Sequence, residues 1–429
     1  MSQSNVTKNE SAWAQIFDDL KILTKIEHDG FYEISSKRIN KYRESRLMTK
    51  FDHQANLPSL FKKHNLSILP LTRGSYIIGR FDAYAPLNYE KQNPHTVDFP
   101  EEIESIEPSN IYSESVALNT AHLCGMIDIL LNEESYLTIS GRMSTSCFEF
   151  VIAGPRGKTN VAVKNSQCEI DAGYESAHKL LLLEAKNTAP TDFLIRQLYY
   201  PFRLWTDKTQ KQVIPVFMTF SNDVFTFFVY QFEDPNEYNS LQLLEQKSFA
   251  IGAEPIILDD IVLALKMAQI IREPSVPFPQ ADSFERIIDL LSLLMVEDLS
   301  SDEITINYDF TSRQTFYYTD AAIYLGLTER RRTKGRTIYS LTQKGKEVMS
   351  KKHKEKNLGL AKLILEHEVF HRTLSRYLKK ASPLVKEEVV EVMKSCHIRN
   401  VKSERTYTRR AQTVMSWIDW ILNLQTSDV

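Results

Sequence analysis

The feature that most constrains the fold is the stretch over residues 167–186, QCEIDAGYESAHKLLLLEAK. It predicts a strand, a short turn and a second strand, and the second strand is an apolar run that ends in a carboxylate and an ammonium group. Because side chains two residues apart in a strand share a face, Glu184 and Lys186 should point the same way. Asp171 ends the first strand, and from there its side chain can reach the same face across the turn.

This grouping of charges predicts a cation site. Mg²⁺ takes oxygen ligands and is typically held by one or two carboxylates plus phosphate oxygens, while a lysine can orient or deprotonate a water molecule. A solvated strand edge is the alternative interpretation. The leucines at residues 180–183 weigh against it, because they predict a strand buried on both faces, and ligands bind at the carboxyl ends of such strands. Glu169 and Glu175 flank Asp171 as alternative acids.

Length and composition bound the architecture. A chain of 429 residues is too long for one ordinary core, so about two to four domains are expected. The four cysteines are scattered without a CxxC pair, which argues against a disulfide framework or a structural zinc site. No apolar run reaches roughly 18 residues and no signal pattern opens the chain, so we expect a cytoplasmic protein without a membrane partner.

The net charge of −3 conceals an asymmetry. Residues 330–410 hold 23 Lys and Arg against 8 Asp and Glu, which gives this block a charge of +15 and leaves −18 on the remainder. Such a block predicts contact with a polyphosphate such as a nucleic acid. A solvated helical surface is the alternative interpretation.

Residues 1–87 are predicted to form a small α+β domain. We expect a helix over residues 12–23, a strand over residues 30–36, a helix over residues 38–48 and a hairpin around Arg73 and Gly74. Basic residues near the second helix could touch a DNA backbone, and an ordinary amphipathic surface explains them equally well: Lys37, Arg38, Lys41, Arg43 and Arg46. Residues 88–110 are polar, acidic and contain three prolines, which predicts a linker.

Residues 111–275 are predicted to form an α/β core with a mixed sheet, so the expected fold class is α/β (α+β) and multidomain. A turn containing Arg142 and Ser144 is placed facing DNA. The elements expected in order are a helix over residues 112–133, the turn over residues 140–146, a three-stranded meander ending at residue 186, a helix of about fifteen residues, strands over residues 213–221 and 224–232, and a helix over residues 254–271.

This order resembles the PD-(D/E)XK nuclease superfamily, in which a helix, a meander carrying an aspartate and then E-x-K, a second helix and further strands follow one another. The pair QCEIDAGYES and LLLLEAK is similar to the variant found in type II restriction endonucleases. The resemblance implies that Asp171 and Glu184 bind Mg²⁺ with help from the backbone carbonyl of Ala185. It also implies that Lys186 positions the attacking water.

The resemblance covers roughly residues 110–235 and extends to the helix after E-x-K, which in this superfamily often returns a polar residue to the site. It therefore implies a catalytic role for Gln197 and a phosphate contact for Arg196. Packing of the helix on the sheet is the alternative role for Gln197. Glu114, on the helix that opens the core, is a further candidate. The sequence departs from the family pattern at Ile170, where proline is frequent.

Residues 283–352 and 353–429 are predicted to be winged-helix or helix-turn-helix units. RTIYSLTQKGKEVM resembles the wing of a winged helix, and the basic loop ERRRTKGR before it suits phosphates. PLVKEEVVEVMKS followed by SERTYTRRAQTVMSWIDWIL is typical of a helix-turn-helix, with Val414, Trp417, Ile418 and Ile421 facing its core. The predicted DNA contacts are Arg330, Arg331, Arg332, Lys334, Arg336, Thr406, Thr408, Arg409 and Arg410.

Together these features predict a Mg²⁺-dependent type II restriction endonuclease that cleaves double-stranded DNA at a specific sequence. The resemblance implies a bacterial or archaeal cell and a cognate DNA methyltransferase that acts on the same site. It also implies a homodimer, because duplex cleavage needs two active sites. The alternatives are a nuclease of DNA repair or recombination and a winged-helix DNA-binding regulator without catalysis. A third alternative is a metabolite-binding α/β protein, but the sequence has no glycine-rich phosphate loop to support it.

Overall fold

The computed structural model describes residues 8–90, 92–108, 111–252, 254–307, 312–333, 335–380, 382–401 and 403–425. The protein is a mixed α/β molecule with several parts and a mixed central sheet. One apolar core fills the N-terminal part, two cores cover the faces of the central sheet, and one core fills the C-terminal part.

The N-terminal part is a small three-stranded antiparallel sheet with helices packed on it. Its elements are α1 (Lys8–Leu20), α2 (Ile22–Asp29), β1 (Phe31–Ser35), α3 (Ser36–Ile39), α4 (Ser45–Met48), a 3₁₀ turn (Gln54–Asn56), α5 (Ser59–Lys63), β2 (Ser67–Thr72) and β3 (Ser75–Gly79). The strand order is β1–β3–β2, so the hairpin predicted around Arg73 and Gly74 is confirmed. The continuous helix predicted over residues 38–48 is wrong. The Asn40 side chain accepts the Ser45 N–H at 2.7 Å, between the two short helices α3 and α4.

The central part contains the largest sheet. Its elements are β4 (Tyr84–Pro86), β5 (His95–Val97), α6 (Glu114–Leu123), α7 (Met126–Leu131), β6 (Tyr136–Ser144), β7 (Cys147–Gly154), β8 (Gly157–Lys164), β9 (Gln167–Glu175), β10 (Lys179–Lys186), β11 (Asp192–Leu194), α8 (Arg196–Thr206), β12 (Gln212–Ser221), β13 (Val224–Phe232) and β14 (Leu241–Ile251). Seven strands pair in the order β5–β14–β13–β12–β10–β9–β6. Strands β6, β9 and β10 are antiparallel neighbours, whereas α8 connects β10 to its parallel neighbour β12.

Both faces of β10 are covered, as its apolar run predicts. Leu181 and Leu183 lie in the core beneath α6 and α7, and Leu180 and Leu182 pack with Ile139 on the other face. The strand is therefore held rigidly up to the point where its charged residues begin. Hydrophobic burial of this kind contributes roughly 1.5–3 kcal/mol for each large aliphatic side chain, which stabilises the strand that carries the charged residues.

Four details of the central part differ from the sequence predictions. The turn predicted over residues 140–146 belongs largely to strand β6, which runs through Arg142 and Ser144. The helix predicted over residues 112–133 is broken at Gly125, whose φ of 70° is left-handed. The predicted linker supplies the edge strand β5, which pairs with β14, and β14 itself was not predicted. The three-stranded meander predicted after that turn is wrong in its first two strands, because β7 and β8 pair as a separate two-stranded sheet and β6 pairs with β9 instead.

The C-terminal part is mainly helical with a small antiparallel sheet in the order β15–β17–β16. Its elements are α9 (Leu258–Met267), α10 (Phe284–Val296), β15 (Leu299–Ser300), α11 (Ser301–Asn307), α12 (Ser312–Tyr324), β16 (Thr328–Thr333), β17 (Arg336–Leu341), α13 (Gln343–Met349), α14 (His353–Leu365), α15 (Glu368–Lys380), α16 (Lys386–Lys394) and α17 (Glu404–Asn423). One apolar core runs from Ile256 to Ile421. Helix α9 packs on α14 in this core, so it lies with the C-terminal part and not with the central sheet.

The central sheet meets the C-terminal part at the turn between β12 and β13. Asn222 and Asp223 both have positive φ there, as a two-residue hairpin turn requires. The Asp223 carboxylate accepts a hydrogen bond from the buried Lys356 ammonium and pairs with His353 at 3.1 Å. Although burial opposes it, this pairing lowers the pKa of Asp223 to about 2. Asp289 of α10 accepts a hydrogen bond from Ser221 at 2.7 Å, so ionic and polar contacts join the two parts.

Candidate active site

The site forms where two antiparallel strands separate. The pairing between β9 and β10 ends at Ala172 opposite Leu183. Beyond that pair, the Ala185 N–H donates to Asp171 Oδ2 at 2.8 Å, so a side chain replaces the next backbone acceptor. The register of β6 against β9 also shifts beside Asp171, and such bulges turn a side chain out of the regular alternation. The carboxylate of Asp171 is thereby held at the rim of the sheet.

Gly173 allows this close strand packing. A Cβ atom added there would lie 2.8 Å from the side chain of Ile139 and 3.3 Å from that of Leu182, which places residue 173 on the same face as Leu182. By the alternation of β10, Glu184 falls on that face as well. The prediction that Asp171 ends its strand and reaches the site across the turn is wrong, because β9 continues to Glu175 and Asp171 lies at the end of the hairpin away from the turn.

Glu184 lies at the centre of the site and is only 8% exposed. Its Oε1 accepts a hydrogen bond from Lys186 Nζ at 2.6 Å and another from Gln197 Nε2. Burial raises the pKa of Glu184 to about 7, and the negative charge of Asp171 adds to the rise while Lys186 opposes it. The carboxyl group therefore takes up a proton more readily than an ordinary glutamate when no cation is present.

The Lys186 ammonium group donates hydrogen bonds to two oxygen atoms of its own strand. Its Nζ also donates to the Ala185 carbonyl oxygen at 3.1 Å, in addition to Glu184. Burial alone would lower the pKa of Lys186, but the neighbouring carboxylates, foremost Glu184, outweigh that effect and raise the pKa. The ammonium is therefore charged at neutral pH, and it contacts the two groups that the family resemblance assigns to Mg²⁺ on this strand.

Gln197 comes from the first turn of α8 and is 9% exposed. Its amide nitrogen donates to Glu184, which fixes the amide against the site. Its Oε1 is buried and has no hydrogen-bond partner among the described residues. A buried acceptor of this kind carries a desolvation cost of roughly 1–3 kcal/mol unless a ligand, ion or water meets it. Gln197 therefore makes a specific contact with the site, in addition to the packing of its helix.

The carboxyl groups of Glu114 and Asp171 also have raised pKa values. Glu114 begins α6, which Ser113 caps by accepting the Val116 N–H. Burial raises the pKa of Glu114, Lys186 opposes the rise and Glu184 adds to it. Asp171 likewise has a raised pKa, because burial outweighs the effect of Lys186 and of the Ala185 N–H.

Asp52 of the N-terminal part is the residue that sequence reasoning missed. Its charge adds to the pKa shifts of Glu114, Glu184 and Lys186, which places it beside the site. Its backbone oxygen accepts the Leu194 N–H at 2.9 Å, so the loop that carries it is joined to β11. No local pattern could have revealed this residue, because more than a hundred positions separate it from Asp171 in the chain.

The oxygen atoms at this site fit a hard divalent cation. Asp171 and Glu184 offer carboxylate oxygens, Ala185 offers its carbonyl, and the orphaned Gln197 Oε1 offers an acceptor for a coordinated water. Across the residues that the structure describes, no group of three or more His, Cys, Asp and Glu side chains could hold a metal ion by itself. Remaining ligands would thus have to be water and substrate oxygens, as is usual for Mg²⁺.

The alternative acids are engaged elsewhere. Glu169 is exposed and pairs with Arg142 on the neighbouring strand at 3.1 Å. Glu175 pairs with Lys211 at 2.6 Å towards the opposite end of β9. Arg196 lies over the Tyr200 ring, with its guanidinium carbon 5.8 Å from the ring centroid.

The predicted DNA-binding residues fall on two surfaces of the C-terminal part. The β16–β17 hairpin carries Arg330, Arg331, Arg332 and Arg336, all exposed, whereas Lys334 lies outside the described residues. Arg330 pairs with Asp320 at 3.0 Å and Arg331 with Asp298 at 2.6 Å. Two of the four described arginines are therefore fixed by acidic neighbours at the base of the hairpin.

Helix α17 carries the other predicted contacts, and one of them requires correction. Thr408 and Arg409 are exposed, and Thr406 is half-buried beside the cap residue Ser403. Arg410 instead points into the C-terminal core, where its Nη1 donates to the Pro279 carbonyl oxygen at 3.2 Å. Burial lowers the pKa of Arg410 to about 10. Arg410 is therefore a structural residue and not a surface contact for DNA.

Three family models match the chain, each described only as a domain of unknown function. DUF6996 matches residues 10–78, DUF6997 matches residues 79–250 and DUF7226 matches residues 286–426. The three matches follow the N-terminal, central and C-terminal parts of the structure. The candidate site lies within the second match, and Asp52 comes from the first. Comparisons with curated proteins and with solved structures gave no match.

Within the described ranges, no helix has both the length and the apolar character that crossing a bilayer requires.

Proposed function

We propose that the protein is a Mg²⁺-dependent endonuclease of the type II restriction class, which hydrolyses phosphodiester bonds of double-stranded DNA at a specific sequence. The observation that carries the proposal is the convergence of Asp171, Glu184 and Lys186 where β9 and β10 separate. A hydrophobic strand with both faces covered holds this convergence in place.

The order of elements supports the same function. The helices α6 and α7, the antiparallel strands β6, β9 and β10, the crossover helix α8 and the parallel strand β12 follow the order that the resemblance to PD-(D/E)XK nucleases implies. The β7–β8 hairpin is an insertion that leaves this order intact, because it forms a separate sheet. Topology and side-chain placement are independent observations, and both favour a nuclease.

Asp171, Glu184 and the Ala185 carbonyl are the groups that would hold Mg²⁺ in this proposal. A bound Mg²⁺ supplies a Lewis acid for the phosphoryl oxygen and makes its coordinated water more acidic. Gln197 holds Glu184 in place through its amide nitrogen and turns an unused acceptor towards the site. The chain thus fixes the carboxylates before any ligand arrives, which reduces the reorganisation that catalysis requires.

Lys186 contributes charge and orientation. Its ammonium points at Glu184 and Ala185, so it lies within reach of any water or phosphate oxygen that approaches those groups. A charged lysine there stabilises the negative charge that develops on a phosphate under attack. Glu184 must lose its proton before it binds a cation, and its pKa of about 7 places this step in the physiological range.

The C-terminal part supports sequence-specific DNA binding. The order α10, β15, α11, α12, β16 and β17, with the sheet order β15–β17–β16, agrees with the order expected of a winged helix and supports that assignment. In such a domain the helix before the hairpin enters the major groove, so we assign base contacts to α12, where Arg313 and Phe316 are exposed. Arg332 and Arg336 of the hairpin are then placed to contact the DNA backbone.

Cleavage of both strands requires two catalytic centres. A symmetric homodimer provides two centres and suits a palindromic recognition sequence, so we propose a dimer as the active form. A cognate methyltransferase would protect the same sequence in the host.

Digestion of DNA tests this function. The purified full chain is incubated with unmethylated phage DNA and Mg²⁺, with Asp171→Asn protein as the control. Discrete bands with wild-type protein and none with the variant are expected. A Mg²⁺-dependent smear would favour the repair or recombination nuclease. Binding without any cleavage, under conditions where the DNA remains intact for both proteins, would favour the non-catalytic regulator.

A further inference from the structure

The N-terminal part carries a concentrated positive charge, which we call the basic segment and define as residues 36–50. It holds six basic residues and one acidic residue, Glu44, so its charge is +5. This is a strong local excess in a chain whose net charge is −3. The six basic residues are Lys37, Arg38, Lys41, Arg43, Arg46 and Lys50.

The positive charge of this segment is little compensated. All of its basic side chains are exposed except Arg43, which is half-buried with an Nε that lacks a partner among the described residues. Within the described part of the chain, Lys50 is the one member in an ion pair, at 3.5 Å from Asp52. Arg38 donates to the neutral Tyr32 hydroxyl at 3.1 Å. The surrounding protein therefore leaves most of the charge available to an external anion.

The segment leads directly into the candidate active site. Two residues after Lys50, Asp52 adds to the electrostatic field at Glu184 and Lys186. Lys50 itself opposes the raised pKa of Glu114, which places its charge near the same centre. The C-terminal end of the positive segment, at Lys50, therefore lies near the candidate carboxylates.

The junction between the segment and the site is firmly anchored. The Gln54 N–H donates to Asp192 Oδ1 at 3.1 Å, and a ring nitrogen of the buried His53 lies 2.5 Å from the Asp192 carbonyl oxygen. The Tyr84 hydroxyl donates to the Phe51 carbonyl oxygen at 2.9 Å. These contacts fix the end of the segment against β4 and β11, the strands beside the first turn of α8.

We propose that the basic segment is a phosphate-binding site that holds the DNA backbone beside the scissile phosphate. The inference rests on the proposed nuclease function, since it assigns a role to charge next to that active site. Four carboxylates surround Lys186, and their combined field repels a polyanion that must approach them. A +5 segment at the edge of the same site offsets that repulsion and attracts phosphates several at a time.

The backbone, and not the bases, is the expected target. Lysine and arginine side chains on short helices and turns reach phosphate oxygens, whereas base edges require an element that fits a groove. The segment should therefore strengthen binding to all duplexes to a similar extent. Sequence preference would remain a property of the C-terminal part.

A charge-removal variant tests the proposal. Lys37→Ala/Lys41→Ala/Arg46→Ala removes three exposed charges of the segment, and Lys164→Ala/Lys208→Ala/Lys266→Ala removes three exposed charges elsewhere. Binding of each full-length protein to a labelled 30-base-pair duplex is followed by fluorescence anisotropy between 50 and 200 mM salt, in EDTA so that no cleavage occurs. Each lost phosphate contact reduces the slope of log K against log salt by about 0.9.

We expect the segment variant to lose roughly tenfold or more in affinity at the lowest salt concentration and its salt slope to fall by about two to three, with similar losses on unrelated sequences. The control triple variant should change far less. A third protein, Lys37→Arg/Lys41→Arg/Arg46→Lys, keeps the charges and should bind like wild type, which separates charge from folding.

Equal losses in the segment and control variants would overturn the proposal, as would an unchanged salt slope. Binding to phosphatidylserine vesicles is measured as well, because an anionic membrane surface is the other candidate partner of a basic segment. Segment-dependent binding to vesicles, with DNA binding unchanged, would assign the segment to a membrane surface and overturn the proposal too. Because the assay uses no metal, its result is distinct from the fate of the nuclease function. Wild-type protein that cleaves DNA while the segment proves dispensable refutes this inference alone.

Discussion

The Ala185 N–H donates to the Asp171 carboxylate at 2.8 Å, in the position where the ladder between β9 and β10 would otherwise continue. One acidic residue thereby ends the strand pairing and is itself oriented by the backbone of the E-x-K strand. The asparagine of an Asp171→Asn variant can accept the same hydrogen bond, so this substitution removes charge while retaining the geometry.

Lys186→Ala should separate catalysis from DNA binding. Removal of the ammonium takes away the group that orients water and stabilises charge, which is worth about 10²- to 10⁴-fold in rate. Duplex binding in Ca²⁺ should change by less than about threefold, because the proposed phosphate contacts come from other basic residues. Gel assays of cleavage and anisotropy assays of binding measure the two properties, with Lys164→Ala as a lysine control. Parallel loss of both would favour a structural role for Lys186.

The protonation of Glu184 should make stability depend on pH. Its folded-state pKa of about 7 lies above its ordinary value, so the neutral form favours folding at low pH and this contribution is lost as pH rises from about 4.5 through 7. We expect the Tm of metal-free protein to fall between pH 5 and pH 8, and Mg²⁺ to restore part of it at pH 8. Glu184→Gln should show a smaller fall. A fall of the same size in the variant would contradict the assignment.

Asp289, at the junction with the C-terminal part, should also make the stability of the fold decrease as pH rises. Burial raises its pKa to about 7, although Ser221 donates to it at 2.7 Å. Its contribution to stability is therefore lost as pH rises from about 4 through 7, and the loss is on the order of 4 kcal/mol at most. Asp289→Asn can keep the Ser221 bond, so its Tm should fall less between pH 5 and pH 8. The exposed Asp302→Asn variant should behave like wild type, and identical curves for all three proteins would refute the prediction.

Arg409 and Arg410 should have opposite phenotypes despite being adjacent. Arg410→Ala leaves the Pro279 carbonyl without its donor and should destabilise the fold by about 1–3 kcal/mol. Arg409→Ala should leave the Tm unchanged, since this side chain is exposed, and reduce the salt slope of DNA binding by about 0.9. Thermal unfolding and salt-dependent anisotropy distinguish them. Destabilisation by the Arg409 variant alone would reverse the assignment.

Asp52→Asn should weaken the binding of a divalent cation at the candidate site. The Asp52 backbone contact with Leu194 remains in the variant, and one negative charge beside Glu184 is lost. We expect Mn²⁺ affinity to fall by about two- to tenfold, because charges near a surface interact with an energy of up to a few kcal/mol. Calorimetry of full-length protein measures this affinity, with the exposed Glu33→Gln variant of the same domain as control. Equal affinities in both variants would remove Asp52 from the site.

Local patterns predicted β9, β10, β12 and β13, which are four of the seven strands of the central sheet. The leucines of β10 and the turn before them determine where Glu184 and Lys186 lie, and both signals are contained in twenty consecutive residues. Asp52 could not be predicted, because its position depends on packing between two parts that are distant in the sequence. The strand through Arg142 was also missed, since its Ser- and Gly-rich composition is typical of turns and Gly141 has a left-handed φ of 93°.

The burial of Arg410 could have been predicted from the sequence. It lies four residues before Val414 and seven before Trp417, and these spacings place it on the buried face of α17. The prediction of a DNA contact rested on the charge of Arg410 and not on its position on the helix. The burial of Arg410 therefore shows that helical periodicity was a better guide than residue type at that position.

The central claim is that Asp171 and Glu184 share one divalent cation at the rim of the sheet. Calorimetric titration of the full chain with Mn²⁺ at pH 8 measures this directly, for wild-type, Asp171→Asn and Glu184→Gln proteins that unfold at similar temperatures. Wild-type protein should bind the cation, and each substitution should weaken binding at least tenfold. Wild-type protein that binds no Mn²⁺, or variants that bind it as tightly as wild type, would show that the two carboxylates do not share a cation.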